Sequence, residues 1–263
     1  MKILALDTSG VVASAAIWED DVIRTEYSMN DNKMHSQTIL PMLKEALDLT
    51  DEDLSTVDAI ATAGGPGSFT GLRIGAATVK GLAYALNKPI LPVPTVDALA
   101  YRLWGTEKVV CPIMDARRDQ TYTGLYEFKP QPPMETGENP GTEQELVMHV
   151  LTPQCAVPIE EIVEKINDLN RPVIFLGDGV PVFKERILKQ AKVQVSFAPA
   201  HMNRQSAAAT ASLAAYRARV NMAAHGGVLT PEEGVVETAA DHTPTYLRLS
   251  QAEREKQEKE NAV

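Results

Sequence analysis

Cysteine is nearly missing from this sequence: 263 residues carry two, Cys111 and Cys155, 44 positions apart. Two lone thiols build neither a disulfide framework nor a four-ligand zinc site, and they suit a reducing compartment. Long apolar runs are missing too. No stretch approaches the roughly 20 apolar residues needed to cross a bilayer. The apolar run at residues 3–6 is too short for a signal peptide and ends at Asp7. The expectation is a cytoplasmic protein with no membrane association. An excess of basic charge is also absent: 25 Lys and Arg stand against 35 Asp and Glu, for a net charge of −10. The acidity is even, with 8 basic against 13 acidic residues in 1–105 and 17 against 22 beyond. Nucleic-acid binders usually need Lys and Arg to displace counterions from phosphates. This chain is therefore a poor candidate to grip RNA unaided; a partner would have to hold it.

Several catalytic signatures are absent as well. The five histidines, His35, His149, His201, His225 and His242, contain no H-x-x-x-H pair and no His/Cys cluster. No Gly-Lys-Ser/Thr follows the glycine cluster at 64–71, where Lys80 lies nine residues past Gly71, so it is not a P-loop. No serine sits in a G-x-S-x-G elbow, and neither Ser68, Cys111 nor Cys155 has a base beside it in sequence.

What remains is an alternation of strand and helix patterns. Residues 3–7 and 11–18 read as two strands joined by a tight bend, with Asp7 ending the first, and residues 22–27 as a third. Residues 34–49 have helical spacing, interrupted by Pro41, which either marks the first turn or kinks the helix. Residues 57–63 form a buried strand, and Gly64-Gly65-Pro66-Gly67-Ser68-Phe69-Thr70-Gly71 leads into a long helix over 72–86. A strand over 90–93 and a helix over 96–104 follow. The pattern of apolar strand, Asp, turn and strand returns at Asp115, 108 positions after Asp7, which suggests an internal duplication. Beyond it, residues 129–141 read as an exposed loop, 159–169, 182–191 and 206–220 as helices, and 173–176 as a strand. The tail from 226 onward reads as loosely packed, ending in a solvated charged segment with an i,i+4 pair at Glu255 and Lys259.

The glycine cluster has two readings. Free N–H groups at a helix start favour an anion; a tight turn that lets the helix dock close to the sheet needs the same glycines. Asp7, Thr8, Ser9, Gly64 and Gly65 are the weak candidates for a nucleotide cradle. The counterpart turn, Ala116-Arg117-Arg118-Asp119, is bulky and lacks glycine. Small residues four apart form two stripes on the following helix, Gly71/Gly75 and Ala77/Gly81/Ala85. Glycine inside a helix costs about 1 kcal/mol against alanine, so close approach has to compensate, within the core or across a subunit interface.

The run Gly64 to Gly75, the H-x-x-x-I-L-P-M-L run from His35 to Leu43, Met114-Asp115-Ala116-Arg117, Gly177-Asp178-Gly179 and Tyr246-Leu247-Arg248 together resemble the bacterial TsaB (YeaZ) family, in the right order over most of the chain. The resemblance implies an α/β ASKHA (actin/Hsp70/sugar-kinase-like) fold with two RNase H-like subdomains, residues 1–105 and 106–225, followed by a partly disordered tail, 226–263. It implies membership of the machinery that makes N6-threonylcarbamoyladenosine next to the tRNA anticodon. Catalysis in that machinery belongs to a paralogue, TsaD, which holds a metal through an H-x-x-x-H pair; here Thr95 and Leu99 fall at those places. The implied role is a non-catalytic scaffold to which no cofactor is assigned alone, ATP and the metal belonging to the complex. Its implied partners are a TsaD-like subunit, a TsaE-like ATPase, a second copy of itself in isolation, and tRNA only through the complex. The implied interface is His35, Ile39, Leu40, Leu43, Thr70, Gly71, Ile74, Gly75, Thr78, Val79 and Leu82. Two alternatives stand beside it, a stand-alone ASKHA phosphotransferase or ATPase and a metallopeptidase; the degenerate second turn and the missing ligand pair argue against them.

Overall fold

A computed structural model describes residues 1–30, 35–131 and 145–248. The chain forms two compact units, the first from residues 1–98 and 205 onward, the second from residues 99–204. Each contains one five-stranded mixed sheet.

In the first unit, β1 (Lys2–Asp7), β2 (Ala13–Glu19) and β3 (Val22–Met29) form an antiparallel meander. The β2–β3 turn is Asp20-Asp21, both in the left-handed region at φ 45° and 63°, the backbone that a two-residue hairpin requires. Helix α1 (His35–Thr50) leads to β4 (Ala59–Gly65), then α2 (Phe69–Leu86) to β5 (Ile90–Pro94) and the short α3 (Thr95–Tyr101). The sheet order is β3-β2-β1-β4-β5, with β4 parallel to both β1 and β5. Helix α1 runs unbroken through Pro41; the missing N–H leaves the carbonyl of Gln37 on an exposed turn, where water can take it. Asn87 ends α2 in the left-handed conformation, its N–H donating to Ala83 and Tyr84 carbonyls.

The second unit repeats the plan: β6 (Val109–Asp115), β7 (Gln120–Gln131), β8 (Glu145–Pro158), α4 (Ile159–Leu169), β9 (Val173–Leu176), α5 (Val180–Gln190) and β10 (Val195–Phe197); the chain then returns to the first unit with α6 (Ala207–Ala224). Its sheet order, β8-β7-β6-β9-β10, is the order of the first sheet. This duplicated architecture is the expected ASKHA arrangement. Strand β8 carries no sequence signal because Pro153 interrupts it. It is an edge strand, and Pro153 falls in the irregularity between the Thr123–Cys155 and Leu125–Thr152 pairs, where no ladder bond is lost. Residues 129–131, expected in a loop, belong to β7, and the rest of that loop lies outside the described residues.

The division into units differs from the expected boundaries at 105 and 225. Helix α6 follows β10 in sequence but packs on β1, β2, β4 and β5. The reason is side-chain size. Alternation along the strands puts Leu4, Leu6, Ala15, Ile17 and Ile60 on the face covered by α1 and α2. The opposite face presents Ala5, Ala16 and Ala61, neighbours across the ladder. Helix α6 buries Ala207, Ala211, Ala214, Ala215 and Ala218, so two surfaces of methyl groups meet at short range.

The tail is not loose as far as it is described. Glu237 bridges to Ile90, Thr245 N donates to Gly64 O at 2.7 Å, and Lys80 Nζ donates to the carbonyls of Ala240 and His242 at 3.3 and 2.9 Å. The charged segment with Glu255 and Lys259 lies outside the described residues.

Candidate functional site

Parallel strands β1 and β4 end side by side, and the turn after β1 meets the glycine loop after β4. Asp7 is buried. Its Oδ1 accepts from Ser9 N (2.9 Å) and Ser9 Oγ (2.6 Å), and Thr210 Oγ1 lies 3.5 Å from Oδ2. Burial pushes its carboxyl above the ordinary range, with Ser9, Thr210 and His35 pulling the other way. The glycines bring backbone onto backbone. A Cβ on Gly71 would stand 2.0 Å from Thr8 O, and one on Gly65 (φ 110°) 2.2 Å from Thr245 O. Ser68 N donates to Ser9 O at 2.7 Å, and Ser68 Oγ caps α2 by accepting from Gly71 N. Of the cradle candidates, then, Asp7, Thr8 and Ser9 are engaged with one another and with the start of α2. Gly64 and Gly65 line the path of the tail.

The counterpart turn in the second unit is closed in another way. Asp115 accepts from Arg117 N (2.8 Å) and from the Arg117 guanidinium (3.1 Å). Arg117, Arg118 and Asp119 all sit at positive φ, 64°, 53° and 63°. Three consecutive non-glycine residues in that region are costly; Ala116 N donates to Gln120 O at 3.0 Å and Gln120 N to Arg117 O at 3.2 Å across the turn, and Asp119 pairs with Arg186, which also pairs with Glu160.

Other chemical candidates are spent structurally. Burial pushes the Cys111 thiol up to about 12, and that of Cys155 upward as well; neither is a ready nucleophile. Thr95 Oγ1 accepts from Gly65 N at 3.1 Å, and Leu99 is buried. Among the described residues no three His, Cys, Asp or Glu side chains gather as a metal site, and no helix is long and apolar enough to cross a membrane.

The expected interface residues divide into two groups. Ile39, Leu43 and Val79 lie in the core of the first unit, and Gly71 and Gly75 pack inward; a Cβ on Gly75 would stand 2.5 Å from Thr8 Oγ1. These five cannot meet a partner without unpacking the unit. Leu40 (51% exposed) and Thr70 are on the surface, and His35, Ile74, Thr78 and Leu82 are half-buried. His35 Nε2 lies 2.9 Å from Gly10 O, so its ring steadies the β1–β2 turn. The second small-residue stripe does face outward. Ala77, Gly81 and Ala85 are exposed, a Cβ on Gly81 would meet nothing within 4 Å, and Tyr84 beside them is 85% exposed. Tyr84 is the surface residue that sequence reasoning missed. Its signal is an aromatic directly beside a stripe of small residues.

At the start of α2, Phe69 stacks on Tyr246 (centroids 4.8 Å apart, planes 5° apart), and Arg73 Nε donates to Tyr246 Oη at 3.3 Å. The Tyr246-Leu247-Arg248 run is thereby tied to the glycine loop.

Comparison with known proteins agrees with this layout. Residues 29–256 match the family model described as TsaD: tRNA N6-adenosine threonylcarbamoyltransferase. The Bacillus subtilis tRNA threonylcarbamoyladenosine biosynthesis protein TsaB is 35% identical over 190 residues, covering 71% of this chain and 75% of that protein. The Escherichia coli protein of the same name is 35% identical over 130 residues, 48% of this chain and 55% of its own length. Among solved structures, YeaZ from Pseudomonas aeruginosa superposes with a TM-score of 0.68 at 29% identity, over 94% of this chain and 100% of that one. The motif order, the duplicated sheets and these similarities lead to one conclusion: the chain belongs to the TsaB (YeaZ) family of tRNA threonylcarbamoyladenosine biosynthesis proteins.

Proposed function

We propose that this protein is the non-catalytic, cytoplasmic scaffold of the threonylcarbamoyl-transfer complex and docks a TsaD-like catalytic subunit on the outer face of α1 and α2. One observation carries the reading: the outward stripe Ala77, Gly81 and Ala85, flanked by Tyr84, Ile74, Thr78, Leu82 and, on α1, Leu40. Small residues let a partner helix come close, and an exposed tyrosine beside them supplies an anchor. The same face serves homodimers, so self-association and partner binding compete. The engaged Asp7–Ser9 turn and the filled contact between Gly71 and Thr8 support a chain that binds no nucleotide alone. ATP, the metal, a TsaE-like ATPase and the grip on tRNA belong to the assembled complex, in keeping with the even acidity of this chain.

Size-exclusion chromatography with light scattering, on the protein alone and with its cognate TsaD, tests the reading. The same samples are then assayed for threonylcarbamoyl transfer to tRNA. The expected result is a heterodimer and transfer that disappears when this chain is omitted. Gly81→Arg, placed in open space, should leave the monomer folded, since it relieves about 0.5–1 kcal/mol of helix-propensity cost, and abolish both dimers. Full co-elution of that variant with TsaD would overturn the assignment of the face.

A further inference from the structure

Helix α2 carries two cations, Arg73 and Lys80, and no acidic residue, in a chain whose net charge is −10. Neither cation pairs with a carboxylate among the described residues. Lys80 Nζ is turned to the tail, where it donates to the carbonyls of Ala240 and His242. Arg73 is exposed and uses one nitrogen: its Nε donates to Tyr246 Oη at 3.3 Å. The guanidinium carbon lies 6.0 Å from the centroid of the Phe69 ring and 5.8 Å from that of Tyr246. Nη1 and Nη2, the donors at the outer end of a planar fork, have no hydrogen-bond partner among the described residues.

Position decides what that fork can meet. Residues 73, 77, 81 and 85 are four apart and form one row on α2. Arg73 therefore stands one turn before the outward stripe of Ala77, Gly81 and Ala85, on a row about 18 Å long. A partner helix laid on the stripe meets little side chain along the row and a guanidinium at its end. A surface arginine usually gains little from an ion pair, because fixing a long side chain costs entropy and water screens the charge. Here the side chain is already held. Phe69 and Tyr246, parallel rings 4.8 Å apart, back the guanidinium, and Tyr246 Oη fixes its inner edge. The open edge matches a carboxylate that accepts two parallel N–H bonds.

We propose that Arg73 determines partner choice on the docking face: it takes a carboxylate of the catalytic subunit's docking helix, with Tyr246 as its positioning residue. This rests on the docking face proposed above. A second copy packed α2 against α2 brings no acidic residue to Arg73, so the pair favours the TsaD-like partner over the homodimer.

The test is isothermal titration of the full-length protein with its cognate TsaD-like subunit at 50 and 500 mM NaCl, beside light scattering for the homodimer. Arg73→Gln should weaken the heterodimer about tenfold at the lower salt and no more than about threefold at the higher, where screening has already weakened the pair. The homodimer should change less than about twofold. Tyr246→Ala should weaken the heterodimer about threefold to fivefold in the parent and have no further effect beside Arg73→Gln, because it acts only through that side chain. Thermal melts check that each variant is folded. Equal weakening of both dimers, an effect independent of salt, or additive losses in the double variant would each overturn the proposal. So would an unchanged heterodimer whose assembled complex loses affinity for tRNA, which would give the fork to a phosphate. Gly81→Arg in the same titration separates the two readings. If it leaves the heterodimer intact, the docking face fails and the proposal with it; if it abolishes the heterodimer while Arg73→Gln changes nothing, the face stands and the role of Arg73 falls.

Discussion

Two glycines ten positions apart on one helix have opposite duties. Gly71 is where the first turn of α2 presses on Thr8 O, and any side chain there would displace backbone. Gly81 faces nothing, so its helix-propensity cost is not offset inside the unit. Gly75 belongs with Gly71, so an arginine there would test folding rather than docking, and Gly81 is the position at which an interface can be probed cleanly. Asp7 supplies a second residue-scale case. Burial raises its folded-state pKa, so the folded protein binds the proton more tightly than the unfolded chain does. The contribution to stability is full below the ordinary carboxylate range and is lost as pH rises through the raised value. Asp7→Asn keeps an acceptor for Ser9 N and removes the ionisation. Its stability relative to the parent should be highest near pH 8 and shrink steadily toward pH 4. Urea unfolding across that range checks it, and a gap that widens on acidification would contradict the assignment.

At the scale of elements, α6 shows how composition specifies a docking partner. A helix with alanine on its buried side has little apolar area per residue, and it gains by approaching closely. The sheet face with Ala5, Ala16 and Ala61 is the complementary surface. Ala215→Leu, at a fully buried position facing that surface, should force the helix away and cost about 1–3 kcal/mol. Chemical denaturation measures it; a loss under about 0.5 kcal/mol would mean the packing is looser than the alanines imply. Helix α1 had an ambiguous signal at Pro41, since spacing cannot say whether a proline ends, starts or kinks a helix. The structure keeps one helix because the orphaned carbonyl falls on the exposed side. Strand β8 left no periodic signal at all, because an edge strand is half-buried on both faces and accepts Pro153.

For the whole molecule, the first unit is discontinuous in sequence. A fragment of residues 1–105 would leave the alanine face of the sheet uncovered, and Ser14 Oγ, Glu26 and Ile90 without the partners that α6 and Glu237 provide. Such a fragment should fail to fold: its amide NMR spectrum should collapse to narrow dispersion, whereas a well-dispersed spectrum would show that the α6 layer is dispensable. What the sequence determined by itself was whatever is encoded locally or by an ordered set of motifs. This includes the strand and helix alternation, the duplication seen at Asp7 and Asp115, the absence of metal-ligand spacing, and the family, carried by the run from Gly64 to Gly75. Tertiary structure alone decided which small-residue stripe is internal and which is outward, that the tail returns to Gly64 and Lys80, and that α6 joins the first sheet. Periodicity places side chains on a helix face but does not say what lies opposite that face. That depends on contacts between residues far apart in sequence, from the 63 positions between Thr8 and Gly71 to the 193 between Ser14 and Ala207, which no local pattern encodes.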